Sequence, residues 1–306
     1  MSTRTQPPAR VGVIGLGSMG LGVARSLVRA GFEVHAFDVR REVLEAFGSE
    51  GGHPAASPAE LGAAVEVVVT LVVNAEQTDE ALFGERGAAP RLSRGSLVMT
   101  SATVPPEYAA AVGERLRAAG LLHLDAPVSG GAAKAAEGQL SIMASGSPEA
   151  FEKAGAVLDA IAARVYRLGD ASGQGSKVKM VNQLLAGVHI AAAAEAMALC
   201  MKAGADPAAV YDVICHSAGA SWMFQNRVPH ILAGDYTPLS AVSIFVKDLG
   251  LVLDSARRCG MPLPLTAAAH QLFLMAAAAG HGAEDDAAVV KVYPGVELPR
   301  RAAGGD

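Results

Sequence analysis

Cysteine is scarce in this chain of 306 residues: Cys200, Cys215 and Cys259 are its three, and none forms a C-x-x-C pair. An odd set without that spacing excludes a disulfide framework and a zinc ribbon, and reads as reduced thiols in a cytoplasmic protein. Eight histidines occur without an H-E-x-x-H spacing, so no metal site is expected. Charge is sparse too, at 18% of residues with a formal net value of −5. Lacking clusters of Lys and Arg, the chain has no electrostatic attraction to nucleic acid or an anionic membrane, and small solutes are the expected partners. The opening "MSTRTQPPAR" has no apolar h-region and reads as a disordered lead over residues 1–10 rather than a signal peptide. Cys259 to Ala283 contains no Asp, Glu, Lys or Arg, and its length alone would suit a membrane span. Pro262, Pro264, Gln271 and Gly280 interrupt it, so a buried helix of about four turns is expected instead.

What the chain has in quantity is apolar residues, 51% of the total, enough for two ordinary domains. From residue 11 to 170, unbroken β-branched runs alternate with helical stretches. The runs are "VGVIGL", "FEVHAFDV", "VEVVVTLVV", "SLVMT", "LLHLDAPV" and "LSIMAS". Helix starts are marked at Ser57-Pro58, at Pro105-Pro106 after Thr103, and at Ser147-Pro148. The alternation predicts an α/β fold: a doubly wound, mostly parallel Rossmann-type domain. Residues 171–300 then read as an all-α domain for substrate binding and self-association. Its helices are expected near Ser176–Ala203, Pro207–Ser217, Val246–Cys259 and Thr266–Ala279. The first would be about 42 Å long and leads out of the nucleotide-type domain, so its start is expected beside the cleft. "RRAAGGD" at the end reads as a frayed tail.

In "VGVIGLGSMG" the pattern G-x-G-x-x-G falls on Gly15, Gly17 and Gly20, directly after a strand and opening a helix. The first glycine allows a tight turn, the second lets backbone approach a pyrophosphate, and the third lets helix pack closely on strand. Leu16, Ser18 and Met19 complete the loop, whose amides at the helix start would face phosphates. Asp38, ending the second strand, suits the ribose hydroxyls and would repel a 2′-phosphate, which favours NAD over NADP. Arg40 and Arg41 are the residues that could reverse that preference. Val73 and Asn74, closing the third run, are further candidate cofactor contacts.

"GQGSKVKMVNQ" carries two lysines. Two apart on a helix, Lys177 and Lys179 point to nearly opposite sides, and Asn182 shares the face of Lys179. A lysine and an amide converging one turn from a helix start suit proton transfer from a carbinol hydroxyl while hydride leaves for a nicotinamide. Ser129 with the Gly130 and Gly131 amides, in "DAPVSGG", can form an anion nest. Lys247 is read at the start of an apolar helix, where a cation opposes the helix dipole and suggests an anionic partner. Glu195 lies in an alanine run and reads as a buried, satisfied structural acid. Gln183, His189, Trp222 and Asn226 could bond a polyol or be ordinary core and surface residues.

Four ordered stretches, "GLGSMG", "DAPVSGGAAKAAEGQLSIMASG", G-x-G-x-x-x-K-x-x-N over Gly173, Gly175, Lys179 and Asn182, and "KDLGL" at Lys247, resemble the β-hydroxyacid dehydrogenase family over nearly all of residues 11 to 290. The resemblance implies oxidation of a small hydroxy acid with NAD, and Lys179 as its acid/base. It also implies that Asn182 orients substrate, that Ser129, Gly130 and Gly131 hold the carboxylate, and that Lys247 lies at the cofactor and substrate end. The family's D-x-S-T loop becomes "TSAT", with Thr100 and Ala102 as departures and Thr103, a cofactor contact by resemblance, retained. Val23 and Ser26 replace the usual Met and Asn in the first helix. Within the family, "SWMFQNR" and "GDYTPLSAVSIFVKDLGLV" look most like members acting on a four-carbon sugar acid. Members acting on 3-hydroxyisobutyrate or tartronate semialdehyde are the rivals. A catalytically silent nucleotide-binding module on the same fold would be expected to lose Lys179. Apolar C-terminal helices make a homo-oligomer, dimer or tetramer, the expected state.

Overall fold

A computed structural model describes residues 10–301 and divides the chain into two compact units, the first ending at Lys179 and the second starting at Met180. The expectations for the lead and tail at residues 1–9 and 302–306 lie outside the described residues.

Among the described residues the first unit carries nine strands: β1 (Arg10–Ile14), β2 (Glu33–Phe37), β3 (His53–Pro54), β4 (Val67–Thr70), β5 (Leu97–Thr100), β6 (Leu122–Asp125), β7 (Val128–Ser129), β8 (Leu140–Gly146) and β9 (Ala162–Arg167). Their order is β3-β2-β1-β4-β5-β6-β8-β7, with β9 on the far side of β8. Every pairing from β3 to β6 is parallel, while β8 runs antiparallel to β6 and β7. Between them run α1 (Gly20–Arg29), α2 (Arg41–Ser49), α3 (Pro58–Ala64), α4 (Ala75–Phe83), α5 (Pro106–Ala118), α6 (Gly131–Glu137) and α7 (Pro148–Ile161). Val11, Val13, Val67, Val69, Leu97 and Met99 are buried with α1 and α7 on one side of the sheet, while Val68 and Val98 are buried with α3 and α5 on the other. Runs buried on both faces are why no polar alternation interrupts these strands. The direction of winding reverses between β1 and β4, the place where an open α/β sheet forms its ligand crevice.

Proline-led helix starts form as the sequence predicts. Ser57 and Ser147 accept the amides of Glu60 and Ala150, and each precedes a proline at the first helical position. Ser26 Oγ donates to Ala135 O at 2.9 Å, so a small residue there lets α1 bond and pack against α6. β9 escapes sequence periodicity because it is half-exposed throughout and flanks only β8.

α8 (Gln174–Lys202) begins in the first unit and continues through the second. By length and composition it is the one helix among the described residues long enough and apolar enough to cross a membrane. Ile190, Ala194, Met197 and Ala198 instead line the core of the second unit, with Phe224, Phe245, Leu249 and Phe273. There follow α9 (Pro207–Cys215), α10 (Trp222–Ala233), α11 (Val242–Arg258) and α12 (Pro264–Ala276). α10 is absent from the sequence expectation because Pro229 lies inside it, where proline removes the bond to Gln225 O. Tyr211 OH donates to that carbonyl at 3.0 Å, replacing the missing partner. α11 starts four residues before the expected Val246, because its entry is fixed by chain far away: Val242 N bonds Glu284 O and Leu239 N bonds the buried Asp285 carboxylate. The charge-free stretch forms α12, and Gly280 breaks the helical path with φ +94°.

Candidate active site

At the end of β1, Gly15 has φ +94°, and a Cβ there would lie 2.8 Å from Leu71 O. A Cβ on Gly20 would fall 1.8 Å from Gly15 O, so helix and turn pack with no space for a side chain. Gly17 differs: nothing lies within 4 Å of the Cβ it lacks. That opening, over a helix start whose Met19 supplies no side-chain cap, fits a pyrophosphate approaching backbone amides.

Asp38, just beyond β2, is 9% exposed and is bonded to the glycine loop through Leu16 N. Its Oδ2 accepts Leu16 N at 2.7 Å and Arg40 Nη2 at 3.1 Å, while Oδ1 accepts Arg40 N at 2.9 Å and Nε at 3.0 Å. Arg40 Nη2 also donates to Leu16 O at 3.0 Å. Burial pushes the Asp38 carboxyl up, but the bonds from the Arg40 guanidinium and from the Arg40 and Leu16 amides outweigh it and hold it below the usual carboxylate range. The guanidinium that could receive a 2′-phosphate is thus engaged by the carboxylate that would repel one. Val73 and Asn74 follow β4, and the Asn74 side chain caps α4 by accepting Gln77 N at 2.9 Å. Thr103 lies in the loop after β5. These positions all follow the C-terminal ends of parallel strands, where such sheets bind ligands.

The two lysines near the start of α8 separate sharply. Lys177 is exposed, whereas Lys179 is 7% exposed and its Nζ donates to Val128 O at 2.9 Å. Lys179 Nζ therefore sits at the first residue of β7, next to Ser129. Gly130 and Gly131 follow with φ +139° and +75°, conformations that favour glycine. Nothing lies within 4 Å of a Cβ on Gly131, so the turn opens where an anion can approach.

In the second unit Asn182 and Lys247 join one chain of bonds. Asn182 Nδ2 donates to Gln183 Oε1 at 2.9 Å, Gln183 Nε2 to Asp248 Oδ2 at 2.5 Å, and Lys247 Nζ pairs with Asp248 Oδ1 at 2.5 Å. Lys247 is the sixth residue of α11 rather than its first, so a clash with the helix dipole, which fades within one turn, is not what marks it. Glu195 is exposed rather than buried, and accepts Tyr293 OH at 3.1 Å. Trp222 is half-exposed, His189 half-buried, and Asn226 bonds Arg227.

A further cluster, which motif spacing does not disclose, lies in the first unit. His123 is buried between Thr100 Oγ1, 2.9 Å from Nε2, and Ser172 Oγ, 2.7 Å from Nδ1. Thr100 is one of the two departures from the D-x-S-T loop, and here its hydroxyl serves the imidazole. Asp125 gathers the amides that open α8. Among the described residues no three His, Cys, Asp or Glu side chains converge in a way that could hold a metal ion.

Residues 10–169 match the family model of the NAD binding domain of 6-phosphogluconate dehydrogenase, and residues 173–293 that of the NAD-binding region of NADP-dependent 3-hydroxyisobutyrate dehydrogenase. L-threonate dehydrogenase of Cupriavidus necator is 67% identical over 292 residues, spanning 95% of this chain and 98% of that protein. L-threonate dehydrogenase of Haemophilus influenzae is 51% identical over 294 residues, spanning 96% and 98%. A crystal structure of 3-hydroxyisobutyrate dehydrogenase from Salmonella typhimurium is 51% identical, with a TM-score of 0.89 over 93% of this chain and 99% of that one. Two adjoining dinucleotide-enzyme modules over almost the whole chain, with relatives at this identity, leave one placement: the chain belongs to the β-hydroxyacid dehydrogenase family that includes 3-hydroxyisobutyrate dehydrogenase, and is a nicotinamide-dependent dehydrogenase of hydroxy acids.

Proposed function

We propose that this enzyme oxidises L-threonate at its 2-hydroxyl with NAD, and that Lys179 is the acid/base. The observation that carries the chemistry is the buried Lys179 amine bonded to Val128 O beside Ser129. The substrate comes from likeness to the L-threonate dehydrogenases. Gly15, Leu16, Gly17, Ser18, Met19, Gly20 and Asp38 would hold NAD, with Val73, Asn74, Thr103 and Lys247 as further contacts. Bound NAD would supply the hydride acceptor. Ser129 and the Gly130 and Gly131 amides would take the substrate carboxylate, and Asn182 would orient a hydroxyl. Lys179 Nζ, when neutral, accepts the carbinol proton; in the reverse direction its ammonium returns that proton to the developing alkoxide. Residues 11–170 would form the cofactor domain and residues 171–300 the substrate domain.

An absorbance assay of NADH formation tests substrate and cofactor together. L-threonate is expected to give the highest kcat/KM among L-threonate, 3-hydroxyisobutyrate and other small hydroxy acids. NAD is expected to outperform NADP by at least about tenfold, because a 2′-phosphate must displace Arg40 from Asp38. Turnover of another acid alone would transfer the assignment to that acid, and a preference for NADP would overturn the role of Asp38.

A homo-oligomer, dimer or tetramer, is proposed from the apolar residues left exposed on the second unit: Val181, Leu185 and Leu199 on α8, and Leu265 and Met275 on α12. Sedimentation equilibrium should return a mass two or four times that of the chain. A monomer at micromolar concentration would dismiss the proposal.

A further inference from the structure

Asp125 ends β6, is 1% exposed, and has no part in the roles above. We infer that Asp125, acting with Ser176 and Ser145, is a positioning residue that sets the Lys179 amine. Its Oδ2 accepts Gly173 N at 2.9 Å, Ser176 N at 2.9 Å and Ser145 Oγ at 3.2 Å, and its Oδ1 accepts Ser176 Oγ at 2.7 Å. Ser145 Oγ in turn accepts Gly175 N at 3.0 Å. Amides at a helix start have no intrahelical partner, and here those of Gly173, Gly175 and Ser176 are tied to the ends of β6 and β8. A Cβ on Gly175 would lie 2.3 Å from Met143 O and 2.9 Å from Asp125 O, so the turn rests directly on the sheet.

The attachment runs in step with the site. Asp125 bonds Ser176, and three residues further along each segment Val128 bonds Lys179. Two rungs of equal spacing join a strand end to one helical turn, and a shift at the lower rung passes to Nζ at the upper. A displacement of about 1 Å at a reacting group can cost a hundredfold in rate. Ser176 and Asp125 touch neither substrate nor cofactor in this scheme.

The inference rests on Lys179 as the acid/base, so Lys179→Ala is measured beside Ser176→Ala, Ser145→Ala and Asp125→Asn. Each variant is assayed for kcat, KM for hydroxy acid and NAD, and the pH profile of kcat, with NADH fluorescence reporting the folded cofactor site. Ser176→Ala is expected to lower kcat about tenfold and Asp125→Asn about a hundredfold, with KM for NAD within about twofold of the natural enzyme and the acid limb of the kcat profile displaced. Should Asp125→Asn fail to fold, the two serine variants carry the test. Natural kcat and an unmoved pH limb in Ser176→Ala, with Lys179→Ala inactive, would overturn the positioning role alone. A loss that only tracks the folded fraction overturns it too, reducing Asp125 to a stabilising residue. Activity in Lys179→Ala would instead remove the reading on which the inference stands.

Discussion

Lys179→Ala is expected to lower kcat for L-threonate by about 10²- to 10⁴-fold, the usual worth of a positioned acid or base, while NADH binding stays within about twofold of natural. The separation follows from where the side chain lies. Lys179 Nζ bonds Val128 O in β7, whereas the glycine loop and Asp38 stand at the ends of β1 and β2. Truncation leaves the helix intact, since alanine is its best former. Lys177→Ala provides the contrast: that side chain is exposed, and its loss should leave kcat unchanged within about twofold. Steady-state kinetics with both variants decides the matter. Comparable turnover by Lys179→Ala, or a collapse in Lys177→Ala, would contradict the assignment.

Acid should weaken the fold through His123. Burial pushes this imidazole down to about 3, because its charged form cannot recover in the sheet the hydration it loses. A ring held neutral in the folded state but ionising near 6.5 when unfolded contributes stability that is fully present above about pH 6.5 and disappears as pH falls toward 3. At about pH 4.5, two units below the unfolded value, the loss amounts to roughly 3 kcal/mol. Urea unfolding at neutral pH and near pH 4.5 measures it. His123→Gln keeps polar atoms facing Thr100 and Ser172 but cannot titrate, so it should lose about 3 kcal/mol less than the natural protein over that interval. Carboxylates ionise in both proteins and cancel in the difference. Equal losses would mean that His123 takes up a proton without cost.

Most of the architecture was legible because its causes are local. Unbroken apolar runs announced β1, β4 and β5, and serine–proline pairs announced α3 and α7. What escaped depends on partners distant in sequence. α10 contains a proline whose lost bond the Tyr211 hydroxyl replaces, and α11 starts where Glu284 and Asp285 hold the chain. The glycine loop and the opposite exposure of Lys177 and Lys179 could be read from spacing, since both turn on backbone geometry within one motif. The Asp38–Arg40 clasp, the His123 sandwich and the Asp125 rungs could not. Each needs to know which side chain faces which, and no periodicity encodes that.

The margins of the sheet matter for how copies of the chain can meet. β3 offers two residues and finishes in Pro54, which has no amide to donate, and β9 exposes Arg164, Tyr166 and Arg167 along the opposite border. A border that is short and proline-stopped, or crowded with cations, refuses an incoming strand. Fibril-like stacking of strands is thereby discouraged on both sides.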